Sequence, residues 1–132
     1  MTSQELQRVS DVMTRQVETT HPDATLQEAA QTMTATAHGP LPVVEGGQVV
    51  GMLTDRDIVT RAVAEGRDAQ TTKVREAMTT EVVTVFEDQA ATDAAALLQT
   101  KQLSRAVVLK RDTNEIAGIV SLTDLPLKRL GA

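Results

Sequence analysis

Gly51-Met52-Leu53-Thr54-Asp55-Arg56-Asp57 and Gly118-Ile119-Val120-Ser121-Leu122-Thr123-Asp124 are one pattern written twice: a glycine, two apolar residues, a hydroxyl residue, and an aspartate three positions further on. Working outward from them, the echo extends along the chain. Val9-Ser10-Asp11-Val12-Met13-Thr14 is matched 65 residues later by Val74-Arg75-Glu76-Ala77-Met78-Thr79. The same offset pairs Val17-Glu18-Thr19 with Val82-Val83-Thr84, Glu28-Ala29-Ala30 with Asp93-Ala94-Ala95, and Val43-Val44 with Val108-Leu109. At the two motifs the offset is 67, and the extra two residues fall at Asp112-Thr113-Asn114, a composition suited to a turn. A repeat of this period means one supersecondary unit used twice.

Each copy reads as β-α-β-β-α. In the first, Val17 to Thr20 predicts a short strand. Leu26, Ala29, Ala30, Met33 and Ala37 keep helical spacing, so a helix is expected over Leu26 to Thr36. Thr25 and Glu28 form a capping box at its start. Leu41 to Val44 and Val49 to Leu53 flank Gly46-Gly47, a hairpin signal. A second helix is expected from Asp55 to Glu65, with Gly66 where a cap glycine belongs. In the second copy the strands are Val82 to Phe86, Ala106 to Leu109 and Ile116 to Val120. A helix covers Thr92 to Lys101, and a last helix runs to Leu130 with Pro126 in its first turn, where a missing N–H costs least. The expected organisation is an α/β fold. It comprises a first repeat over 1–66, with an N-terminal helix, then a linker over 67–73 and a second repeat over 74–132. A half of this size buries too little surface to be robust alone, so the two are expected to pack with pseudo-two-fold symmetry.

The motif sits at a strand-to-helix junction, and two readings of it stand side by side. Thr54 with Asp57, and Ser121 with Asp124, have capping-box spacing, worth about 1 kcal/mol without any ligand. The same atoms suit a nucleotide. A helix N-terminus and a hydroxyl favour phosphate or ribose oxygens. A carboxylate one turn in accepts from vicinal ribose hydroxyls, and Arg56 adds charge for a phosphate.

Composition narrows the alternatives. The net charge is −5, which argues against nucleic acid. Phe86 is the only aromatic residue, so no stacking platform exists and the core must be Val, Leu, Ile, Met and Ala. Met13, Met33, Met52 and Met78 fall at apolar repeat positions and read as core. There is no cysteine, which removes disulfides, thiol nucleophiles and zinc–cysteine sites. No apolar run reaches the roughly 20 residues of a membrane span, and a soluble, cytoplasmic protein is expected. Neither a P-loop nor Gly-x-Gly-x-x-Gly occurs. His21 and His38 lack metal spacing and fall in loops, with His38 near the entry to the second strand. Asp55 and Asp57 turn to different helix faces, so no catalytic pair, no metal site and no enzyme activity are expected.

The doubled β-α-β-β-α unit with its Gly-h-h-Thr/Ser-x-x-Asp ending (h, apolar) resembles the CBS domain, over roughly Val9 to Leu130. The resemblance implies a tandem pair, or Bateman module, with two clefts between the repeats for adenosine derivatives: AMP, ADP, ATP or S-adenosylmethionine. It implies that Asp57 and Asp124 hold ribose while Thr54 and Ser121 support ribose or phosphate. Base contacts would fall on Val17, Thr19, Gly39, Pro40, Leu41 and Pro42 in the first repeat. In the second they would fall on Val82, Thr84, Arg105, Ala106 and Val107. It further implies a homodimer formed through helices and a regulatory role toward some other protein. The alternative is a ligand-free interaction or structural dimer. The repeats are not equivalent. The second lacks a counterpart of Arg56 and of Pro42, and the first has Pro40 where the second has Arg105. The Thr54/Asp57 cleft is therefore the expected site of a phosphate-bearing ligand.

Overall fold

The computed structural model describes residues 7–36 and 39–126. These fall into two compact units. One is Glu18–Val82, and the other joins Val83 onward to the chain before Glu18.

In the Glu18–Val82 unit, α2 (Leu26–Ala35) starts at the expected capping box. The Thr25 hydroxyl accepts from the Glu28 N–H at 3.1 Å, and the Glu28 carboxylate accepts from the Thr25 N–H at 3.2 Å. Strands β1 (Leu41–Glu45) and β2 (Gln48–Leu53) form an antiparallel hairpin. Its turn residues Gly46 and Gly47 have φ of 61° and 80°, the left-handed pair that a tight hairpin needs. Helix α3 (Asp55–Ile58) runs on into a π-helical stretch, Val59–Val63. Gly66, at φ 70°, ends it as expected. Leu26, Ala29, Leu41, Val43, Leu53, Ala62, Val74 and Ala77 make the core. The expected strand Val17 to Thr20 shrinks to one parallel bridge, Thr20 with Val43.

The other unit contains the single turn α1 (Val9–Val12) and a three-stranded sheet of β3 (Thr84–Phe86), β4 (Arg105–Leu109) and β5 (Ile116–Ser121). β3 is parallel and β5 antiparallel to the central β4. Helix α4 (Ala91–Lys101) buries Ala91, Ala94, Ala95 and Leu98 against Val9, Val85, Ala106, Val108 and Val120. After β5 the chain makes one 3-10 turn, Leu122–Asp124. Leu125 is extended at φ −97° and ψ 149°, because proline drives the residue before it out of helical space. The expected stretch beyond it, to Leu130, and His38 lie outside the described residues.

Both core clusters are aliphatic, and the same order of helix, hairpin and motif turn occurs in each unit. The packing unit, however, is not the sequence repeat. Met13-Thr14, at the head of the first repeat, docks on the motif of the second: Thr14 and Ile119 exchange N–H···O bonds of 2.8 and 3.0 Å. Met78-Thr79, at the head of the second repeat, docks on the motif of the first: Thr79 and Met52 exchange two bonds of 2.8 Å. The motif glycines make this approach possible. A Cβ on Gly118 would lie 2.3 Å from the Thr14 carbonyl oxygen, and one on Gly51 would lie 2.7 Å from Met78 Sδ.

Candidate functional site

The first motif is a complete capping box. The Thr54 hydroxyl accepts from the Asp57 N–H at 3.1 Å, and Asp57 Oδ2 accepts from the Thr54 N–H at 3.0 Å. This leaves chemistry over. A hydroxyl that accepts one bond still has its proton to donate, and a carboxylate has several acceptor positions. Both side chains are half-buried, while Arg56 is exposed on the first turn of α3. Gly39 comes close to the same turn: a Cβ there would lie 3.9 Å from Asp55 Oδ1.

The second motif is held differently. The Ser121 hydroxyl donates to Asp124 Oδ2 at 2.7 Å and lies 2.9 Å from the Thr123 hydroxyl. The Ser121 N–H donates to the same carboxylate oxygen at 3.2 Å. Here the hydroxyl proton is committed to the carboxylate, whereas the Thr54 hydroxyl donates to no acceptor among the described residues. Arg105 stands opposite Ser121 in the β4–β5 register. Ser104, Arg105, Ser121, Leu122 and Thr123 line a depression of about 260 Å³ beside them.

Most arginines of the described chain are engaged. Arg75 pairs with Asp23 at 2.8 Å and with Glu45 at 3.7 Å, Arg67 pairs with Glu76, and Arg111 forks onto Asp88 while lying over the Phe86 ring. Arg15 donates to the Ser10 carbonyl, and Arg61 donates to the carbonyls of Ala77 and Met78. Among the described residues, Arg56 and Arg105 enter no ion pair. Arg8, Arg15 and Arg61 enter none either, so Arg56 and Arg105 stand out by position, one inside the first motif and the other opposite Ser121.

The other sequence-expected contacts divide. Thr19 and Thr84 are exposed, while Val17, Val82, Gly39 and Pro40 are half-buried. Pro42 is buried, and its carbonyl accepts from the Thr20 N–H. Leu41 and Ala106 belong to the aliphatic cores, and Val107 is also buried. The side chains of Leu41 and Ala106 are therefore already packed, leaving only their backbones to offer a ligand. Val17 groups with the unit of the second motif and Val82 with that of the first. Ser104 and Thr123 were not picked out from sequence, because their place beside Arg105 and Ser121 depends on strand register.

The fold also gathers His21, Asp23 and Glu45, with ligand-capable atoms within 4.8 Å of one another, although their spacing in sequence gives no metal signal. Arg75 sits among them, and its hydrogen bond to Asp23 holds that carboxyl below its ordinary pKa. His21 Nδ1 accepts from the Asp23 N–H at 3.1 Å. Arg75, Asp23 and Glu45 form an ion-pair cluster, with His21 hydrogen-bonded beside it.

Comparison with known proteins shows the family. The CBS domain family model matches residues 9–64 and 74–125. The chain belongs to the CBS domain family and carries the domain as a tandem pair. It is 44% identical over 122 residues to the CBS domain-containing protein YhcV of Bacillus subtilis, covering 92% of this chain and 85% of that one. The solved CBS domain pair of protein MJ0100, in complex with 5-methylthioadenosine and S-adenosyl-L-methionine, superposes with a TM-score of 0.76. It shares 28% identity, and the match covers 89% of this chain and 91% of that one. Hypoxic Response Protein I, solved with two coordinated zinc ions, has the same TM-score and identity, with 89% and 95% covered. Among the described residues, no helix is long and apolar enough to cross a membrane.

Proposed function

We propose that this chain is a regulatory CBS pair that binds an adenosine-type ligand at its Thr54/Asp57 and Ser121/Asp124 motifs and passes the signal on through the geometry of its repeats or of a homodimer. AMP, ADP, ATP and S-adenosylmethionine are the ligand class. The observation that carries the reading is the first motif. Thr54 retains a hydroxyl proton, Asp57 retains acceptor capacity, and the neighbouring Arg56 has no ionic partner among the described residues. The similar MJ0100 pair, solved with two adenosine compounds, supports the ligand class. The phosphate-bearing ligand belongs at Thr54/Asp57, with Asp57 on ribose and Arg56 on phosphate. At Ser121/Asp124 the serine proton is spent on the carboxylate, so that site is the weaker of the two, with Arg105 as its cation.

The role is non-catalytic: hydroxyl, carboxylate and guanidinium here hold a ligand. Val59 and Val63, exposed at 56% and 63% and four residues apart, offer the apolar helix face for a second copy. A cytoplasmic setting and a regulated partner protein complete the proposal. The completeness of the Thr54–Asp57 capping box favours one other reading, a ligand-free structural dimer.

Calorimetric titration with AMP, ADP, ATP and S-adenosylmethionine separates them. Asp57→Asn keeps the size of the side chain and removes its charge. Loss of a charge-assisted hydrogen bond should weaken binding about tenfold or more, while Asp124→Asn should have the smaller effect on a phosphate-bearing ligand. At 100 times its dissociation constant a ligand adds about 2.7 kcal/mol of stability, visible in dye-reported melts. A flat response to all four compounds would establish the structural dimer instead, and turnover of a bound nucleotide would overturn the non-catalytic role.

A further inference from the structure

Two segments, one per unit, are clasped to the motifs. Thr79 exchanges backbone hydrogen bonds with Met52, two residues before Thr54, and Thr14 does the same with Ile119, two residues before Ser121. Each clasp closes over a motif glycine whose absent side chain makes the room. Each also lies immediately upstream of the place where the chain leaves its unit. Val17 is the last residue of one unit before Glu18 opens the other, and Val82 is the last before Val83 returns. Thr14 and Thr79 both stand three residues before these points. The first clasp has an additional tie. Arg61, carried by the π-helical stretch that continues α3, donates through one guanidinium nitrogen to the carbonyls of Ala77 at 3.1 Å and Met78 at 3.0 Å. Helix α3 begins in the motif itself, so strand β2 and the π-helical continuation of α3, on either side of Thr54, both hold the same strap.

We propose that the Met78–Thr79 strap reports the occupancy of the Thr54/Asp57 motif, with Arg61 as the positioning residue that sets how tightly it is held; this rests on the ligand-binding reading of that motif. A ligand on Thr54 and Asp57 fixes the end of β2, which grips the strap, and the start of α3, whose π-helical continuation carries Arg61. Opening the strap releases Met52 and the carbonyls that Arg61 holds, and so disturbs the motif. Ligand and closed strap therefore favour each other, and the coupling is reciprocal. The strap leads directly to the Val82/Val83 crossing, so its state is set on the segment that joins the units.

Amide hydrogen exchange on the full chain, alone and saturated with whichever of AMP, ADP, ATP or S-adenosylmethionine binds, tests this. Exchange by local opening is distinguished from global unfolding by comparison with amides in the β1–β2 hairpin. Saturation should slow local exchange at Thr79 and Met52, and at the same ligand concentration Asp57→Asn should reduce that effect in step with binding. Without ligand, Arg61→Ala should speed exchange at Thr79 and Met52 about tenfold, as expected for losing hydrogen bonds from a charged group. Arg61→Lys should restore part of the protection, and Thr14 and Ile119 should not respond to either variant. Asp57-dependent binding that leaves local exchange at Thr79 and Met52 unchanged would overturn the strap while sparing the ligand-binding reading. Unaltered exchange in Arg61→Ala would overturn it without reference to any ligand. Failure of all four compounds to bind would overturn the ligand reading, and the strap's reporting role with it.

Discussion

At the scale of the residue, the motif glycines are structural before they are functional. Gly51 and Gly118 are absent from the positive-φ positions, so alanine costs nothing in backbone conformation at either. The cost is steric, and it differs between them. At Gly118 the added Cβ would meet the Thr14 carbonyl oxygen at 2.3 Å, and a backbone atom cannot swing aside. At Gly51 the nearest atom is Met78 Sδ at 2.7 Å, the end of a flexible side chain, with the Thr79 carbonyl oxygen at 3.0 Å. Gly118→Ala should therefore displace Thr14 and destabilise by about 1–3 kcal/mol, the range for overpacking, and Gly51→Ala should cost less. Denaturant midpoints measure both. A Gly118→Ala protein as stable as the parent would show that the close approach is not maintained in solution.

At the scale of the element, what could be read ahead was whatever local chemistry alone decides. The Thr25–Glu28 box, the Gly46-Gly47 turn, the Gly66 cap and the strands around them follow from spacing and from residues with restricted backbone preferences. The Thr54 and Asp57 pair was readable for the same reason. The straps were not. The repeated Met-Thr at 13–14 and 78–79 was visible as repetition, but which glycine each meets depends on contacts across the length of the chain. The π-helical run at Val59–Val63 had no readable signal, since its side chains are compatible with an ordinary helix. Nor had the end of α4, where Gln102 adopts φ 56° and ψ 43°. Helices commonly end in this left-handed conformation on glycine, and a side chain there costs about 1–2 kcal/mol. Gln102 is exposed and its N–H closes the helix, both of which glycine preserves. Gln102→Gly should accordingly stabilise the protein by about 1 kcal/mol, offset in part by the greater freedom of glycine in the unfolded chain. A fall in melting temperature would mean that this unfolded-chain term wins.

At the scale of the whole molecule, the charges that respond to acid are unevenly placed. Among the described residues, four carboxylates are held below their ordinary pKa. For Asp23 the main cause is its hydrogen bond with Arg75, and for Asp88 that with Arg111. Glu28 is lowered chiefly by the Thr25 N–H, and Glu76 by that of Lys73. A group whose pKa is depressed by folding contributes stability above its unfolded pKa, and that contribution is lost as pH falls through the folded value. All four groups are exposed, so each effect is small and weakened by salt. Three of them, Asp23, Glu28 and Glu76, belong to the Glu18–Val82 unit, and only Asp88 belongs to the other. Two of the three secure helical turns, at the starts of α2 and of Val74–Glu76, and Glu76 also pairs with Arg67. Protonation therefore loosens Glu18–Val82 at several points, including the 3-10 turn that leads into the Met78–Thr79 strap. As pH is lowered through the carboxylate range, amide protection should fall first in Glu18–Val82, the strap included, and later around β3, β4 and β5. High salt should shrink the difference at the ion pairs more than at the capping boxes, since the boxes rest on hydrogen bonds to backbone N–H groups rather than on opposed charges. If both units lost protection together at low salt, the acid response would have to be assigned to a single cooperative unfolding of the chain rather than to these four groups.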